Sequence, residues 1–149
     1  MKPLLPFRMS PGLCGPACLK IILTHYKKDF SESEIAALCN ATPEDHASHA
    51  AMVAAVKSVS GKAMPKEDAS IDDVRNSVDE NVPVIVGWQL DGKNHYTVVY
   101  DVGKNKIFMM DPSTESGIRI MPIEEFENLW FDMDETGSST KRWMMAVKF

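Results

Sequence analysis

The chain lacks an apolar run long enough to cross a membrane, lacks an excess of basic residues and lacks any paired-cysteine spacing. Each shortage excludes something. Without a span of about 20 apolar residues no membrane insertion is expected. The opening stretch "MKPLLPFRMSPG" is interrupted by lysine, proline and arginine where a secretory signal needs an unbroken apolar core, so the expected compartment is the cytoplasm. Sixteen Lys and Arg against 21 Asp and Glu give a net charge of −5, which offers no electrostatic footing for nucleic acid or an anionic surface. The three cysteines, Cys14, Cys18 and Cys39, are odd in number and never spaced as CxxC. That argues against a disulfide framework and a structural zinc site, and leaves at least one free thiol. Glutamine is also scarce: Gln89 is the only one. No Gly/Ser/Pro tract marks a linker and no segment repeats, so residues 1–149 are expected to form a single domain.

What is present divides into a helical first half and a strand-rich second half. Leu19, Ile22, Leu23 and Tyr26 share one helix face behind Pro16, predicting a helix from about Cys14 to Lys27. Ser31 with Glu34 forms a capping box for a second helix, "HASHAAMVAAVKSV" ends at Gly61 as a third, and Ser70 caps a short fourth. These four helices are expected to form one layer. From Pro83 the period becomes that of strands: "PVIVGWQ", a turn at "GKN", "HYTVVYDV", a turn at "GKNK", then "IFMMD". "GIRIMP" and "RWMMAVKF" read as further strands, with "IEEFENLWF" a helix between them and "DETGSST" an exposed mobile loop. The fold class is α+β, with N-terminal helices packed on an antiparallel sheet.

Thiol chemistry needs the thiolate, which is favoured where free backbone N–H groups and a helix dipole point at the sulfur. Cys14, immediately ahead of Gly15 and Pro16, meets that condition. Of the four histidines, His95 stands at the start of its strand, at the open edge where a general base would be held. Asp111 ends the next strand, sixteen residues on; if the two strands pair as a hairpin, Asp111 becomes the neighbour that orients His95. Each residue alone has an ordinary structural reading. Their order and predicted strand ends agree.

"CGPACL" opening a helix, followed by an apolar strand, "HYTVVYDV" and "MMDP", resembles the papain-like cysteine peptidases that remove double-glycine leaders from bacteriocin precursors, and their stand-alone relatives. The resemblance spans about Leu5 to Phe149. It implies a papain-like fold with Cys14 as nucleophile, His95 as general base and acid, and Asp111 orienting His95. It further implies a peptide or small-protein substrate cut after small residues, no metal or organic cofactor, and a place alongside an exporter for some members.

One feature departs from that family. Its peptidases carry a Gln five or six residues before the nucleophile, donating to the tetrahedral oxyanion, whereas this chain has Met9 and Arg8 there. Losing one such donor costs about 2.7–4 kcal/mol of transition-state stabilisation, roughly a hundred- to thousandfold in rate. Arg8, with the backbone N–H of Cys14, is the expected replacement. A groove that binds peptide without cutting it is the alternative reading, and acyl transfer to an amine is a third.

Gly15, Trp88 and Asn94 are expected in the substrate cleft, with Trp88 as a wall. Cys18 and Cys39 read as packed, inert thiols. His46 and His49 flank the third helix without a third ligand and read as surface residues.

Overall fold

The computed structural model describes residues 4–134 and 136–149. Among these residues, five helices and eight strands follow one another as α1 (Cys14–His25), α2 (Glu32–Leu38), α3 (His49–Ser58), β1 (Lys62–Lys66), α4 (Ile71–Asp79), β2 (Val84–Leu90), β3 (Lys93–Val102), β4 (Lys106–Met110), β5 (Ile118–Pro122), α5 (Ile123–Leu129), β6 (Phe131–Met133), β7 (Ser139–Lys141) and β8 (Met144–Lys148). Six strands form one antiparallel sheet in the order β1-β8-β2-β3-β4-β5, and β6 pairs with β7 as a separate ribbon.

The nearly continuous apolar runs of β2, β3 and β8 reflect a sheet covered on both faces. Along β3, Tyr96, Val98 and Tyr100 join the core beneath α1, α2 and α3, while Val99 faces the opposite core with Val84, Val86 and Trp88 of β2. Met145 and Val147 divide from Met144 and Ala146 in β8 by the same two-residue alternation.

The capping boxes at Ser31–Glu34 and Ser70–Asp73 both form, each of the kind that holds about 1 kcal/mol of helix stability. Helix α4 departs from the expected single layer. Its buried face, Ile71, Val74 and Val78, packs with Phe126 of α5 on the far side of the sheet. An amphipathic pattern states that a face is buried, not which face of the sheet buries it.

Three further corrections concern strands. β1, "KAMPK", pairs with β8 at the sheet's edge, where Pro65 is tolerated. The turn before β3 is Asp91–Gly92, with φ of 52° and 77°, not "GKN". Both residues occupy the left-handed region that two-residue hairpins demand, and Leu90 pairs with Lys93 directly across it. His95 is therefore the third residue of its strand. Within the expected mobile loop, Ser139 and Thr140 belong to β7, which pairs with β6; Glu135 lies outside the described residues.

Candidate active site

Helix α1 begins at Cys14 on a turn closed by the Leu13 N–H donating to the Ser10 carbonyl at 3.1 Å. Gly12 makes that turn with φ of 77°, and a side chain there would run into the Pro43 backbone. Leu13 provides no side-chain cap and Pro16 has no N–H, so the N–H groups of Cys14 and Gly15 have no intrahelical acceptor at the positive end of the helix.

His95 and Asp111 come together through the hairpin of β3 and β4. Val98 pairs with Met110, which sets Asp111 just past the last rung and within reach of the histidine. The His95 Nε2 lies 2.8 Å from Asp111 Oδ1, with His95 7% and Asp111 0% exposed. Ser113 Oγ lies 3.4 Å from the same Nε2, and the Cys14 sulfur is near enough to the imidazole to act on its pKa.

Two residues that the sequence reading missed complete the support of Asp111. Ser113 donates to Oδ1 from its N–H at 2.8 Å and from Oγ at 2.7 Å. Arg119 Nε donates to Oδ2 at 2.6 Å, and its guanidinium lies over the Trp88 ring at 5.8 Å. A fully buried carboxylate is thus satisfied on both oxygens. Nothing in the local sequence marks Arg119 for this task, since it stands on edge strand β5 among residues half open to solvent.

Burial alone would push the His95 imidazole down, but the hydrogen bonds and negative charges of Asp111 and Cys14 outweigh it and raise its pKa to about 9. Burial likewise works against ionised Asp111, and the bonds from His95 and Ser113 overcome it, holding the carboxyl well below its usual range. The consequence for stability has a definite sign. A histidine raised in the folded state contributes stability that is complete below its unfolded value of about 6.5 and disappears as pH climbs through 9. The lowered aspartate contributes above about pH 3.9 and is lost on acidification. The melting temperature is expected to fall between about pH 6.5 and 9 in the wild type, with a shallower slope in His95→Gln. Equal slopes would show that His95 is not the linked group.

Cys14 lines a cleft of about 470 Å³ bordered by the start of α3, the beginning of β3 and the β6–β7 ribbon. Of the residues expected in that cleft, Asn94 lines it, and its side chain also binds the Met133 backbone. Gly15 and Trp88 do not form its walls. Gly15 is a packing position: a Cβ there would sit 3.0 Å from Met52 Sδ and 3.3 Å from Tyr96. Trp88 is buried, donates from Nε1 to Thr97 Oγ1 at 2.9 Å, and packs edge-on against the His95 ring. It braces the imidazole from behind.

Arg8 is exposed and does not line the cleft. Next to it, Met9 packs against the core and its N–H donates to the Pro112 carbonyl at 3.0 Å, tying this segment to the loop that carries Asp111. Gln89 is committed elsewhere, donating to Asn94 and to the Phe131 carbonyl.

The remaining cysteines are buried. Burial, with the charges of Cys14 and Asp111 adding, pushes the Cys18 thiol well up, and burial raises Cys39 to about 11. His46 is exposed, but His49 is not the simple surface residue expected. Its ring packs at a tilt against Trp143 with centroids 4.0 Å apart, and its Nε2 lies 3.2 Å from Asp132 Oδ2. Among the described residues no cluster of three metal-ligating side chains occurs, and no helix is long and apolar enough to cross a membrane.

A helix-borne thiol facing a histidine and an aspartate on an antiparallel sheet is the arrangement of papain-like cysteine peptidases. Residues 9–134 match the model of the Peptidase C39 family, and the chain belongs to that family. Solved structures with the same fold include the peptidase domain of Streptococcus ComA, a bi-functional ABC transporter of a quorum-sensing pathway (19% identity, 97% of each chain covered, TM-score 0.72). A double glycine motif protease from an AMS/PCAT transporter, in complex with the leader peptide, matches with 19% identity, 98% of this chain and 90% of the other, and a TM-score of 0.73. A protein described as a C39-like peptidase from Bacillus anthracis gives 16% identity, 98% and 95% coverage, and a TM-score of 0.74. Comparison with curated proteins gives no match.

Proposed function

We propose that the protein is a cysteine peptidase that cleaves an amide bond of a peptide, a leader peptide cut after small residues, with residues 1–149 acting as one peptidase unit. Cys14 would attack the scissile carbonyl as a thiolate beside the His95 imidazolium, which the raised pKa of His95 favours at neutral pH. His95 then protonates the leaving amine, and the thioacyl ester on Cys14 is hydrolysed by a water that His95 activates. Asp111, held by Ser113 and Arg119, keeps the imidazole in the orientation this requires. The observation carrying the reading is His95 held at 2.8 Å by a fully buried Asp111, with Cys14 at the start of α1 near enough to act on the same imidazole. The transporter origin of two structural relatives supports a substrate secreted by an exporter, and an association with one.

The test is incubation with synthetic peptides carrying a central Gly-Gly, read by mass spectrometry for two products and for the acyl adduct on Cys14. Cleavage with an adduct is expected. A second reading, a groove that binds peptide without cutting it, is favoured by the lack of an amide side chain upstream of Cys14. Binding with neither product nor adduct would establish it in place of the first.

A further inference from the structure

The cleft beside Cys14 contains a carboxylate that none of the steps above uses. Asp132, on β6, is 8% exposed, and its Oδ2 meets no donor in hydrogen-bond geometry among the described residues. The His49 Nε2 approaches it at 3.2 Å without the alignment of a hydrogen bond. Burying an ionised carboxylate with an unmatched oxygen is costly, and such a group in a folded protein calls for a partner.

The fold makes room for this side chain deliberately. Gly87 on β2 lies beneath it, and a Cβ at that position would sit 2.6 Å from Oδ2 and 2.7 Å from Oδ1. The surroundings are acidic. Asp134 also lines the cleft, and bonds from Thr136 and Ser138 keep its carboxyl low and ionised. No lysine or arginine lines the cleft among the described residues; the nearby groups able to carry positive charge are His46 and His49.

We propose that Asp132 is the acceptor of a subsite for a cationic side chain, lysine or arginine, on the peptide substrate close to its scissile bond. The proposal rests on the peptidase reading for its substrate, while the subsite itself can be tested without turnover. A bound ammonium or guanidinium would satisfy the unmatched oxygen, and Asp134 would add a second negative charge at the mouth. His49, held edge-on by Tyr96 and at a tilt by Trp143, lines the cleft where the aliphatic stem would lie.

The experiment uses the full chain as Cys14→Ala, which cannot cut, and a set of synthetic Gly-Gly peptides in which each flanking position carries lysine, norleucine or glutamate in turn. Affinities are read by calorimetry, and the same set is offered to the wild type for cleavage. At one position lysine is expected to bind at least about tenfold better than norleucine, the gain of a charge-assisted hydrogen bond, with glutamate weakest. Asp132→Asn should bring the lysine-to-norleucine ratio to within about twofold, a ratio that general loss of folding would leave alone. Equal binding of lysine and norleucine at every position, or no binding of any peptide, overturns the subsite. A lysine preference that survives Asp132→Asn overturns the role of Asp132. Cleavage without any lysine preference defeats this proposal and leaves the peptidase reading standing, whereas lysine-selective binding with no cleavage by wild type does the reverse.

Discussion

His95→Ala is expected to lower kcat/KM for a cleavable peptide by between about a hundred- and ten-thousandfold, the range that a positioned general acid and base contributes. Cys14→Ala should go further, to the order of a millionfold in kcat, because no covalent route remains. The two losses should not add. Thiol and imidazole act as one unit, so the double variant is expected to be no slower than Cys14→Ala alone. Multiplicative losses in the double variant would mean that His95 serves a step independent of Cys14, and the proposed proton route would be wrong.

His95→Ala is also the cleaner structural probe. Once the imidazole is removed, Asp111 still accepts from Ser113 and Arg119, so the buried charge keeps partners on both oxygens. Removing Asp111 instead would strand His95 and Arg119 together, and a fall in activity would mix lost orientation with lost stability. A parallel readout separates chemistry from substrate binding: the rate of Cys14 alkylation by iodoacetamide at neutral pH, followed by intact mass, should fall in His95→Ala while the adduct stays confined to one site. Cys18 and Cys39 are buried with raised pKa values and are not expected to compete in the native protein. An unchanged rate would show that the imidazole does not activate the sulfur.

Elements defined by local rules were legible in the chain itself. Serine caps with acidic partners three residues on fixed the starts of α2 and α4, and the apolar run of β2 announced a central strand. The pairing of His95 with Asp111 followed from one hairpin register. What escaped depends on contacts made elsewhere in the chain. β1 and β7 are short, polar and charged, and they become strands only because β8 and β6 offer them backbone partners. The far-side placement of α4 is set by the faces of β3 and β2 it packs on, which no periodicity within α4 encodes. Arg119 and Asp132 reach the site from β5 and β6, and the space for Asp132 is left by a glycine 45 positions earlier (132 − 87), so neither stands in a motif a reader of the sequence would isolate.

Arg8→Gln is expected to raise kcat by up to about a hundredfold with little change in KM, because an oxyanion donor acts on charge that develops only in the transition state. The position follows from the segment's packing. Met9 packs its side chain against the core and commits its N–H to Pro112, which leaves Arg8 as the exposed neighbour in the segment that leads to Cys14. In the present sequence that residue is an exposed arginine, and no hydrogen bond among the described residues holds its guanidinium in place. A long, exposed donor must be ordered during the reaction and forfeits much of what a fixed amide supplies. The N–H groups of Cys14 and Gly15, by contrast, are already fixed at the start of α1. If those two suffice, Arg8→Ala and Arg8→Gln will both leave kcat unchanged, and the expectation fails. If the guanidinium is itself the working donor, Arg8→Ala will lower kcat about tenfold or more. A fall with alanine and a rise with glutamine would together show that the oxyanion site is present in this protein but filled by a poorly held group.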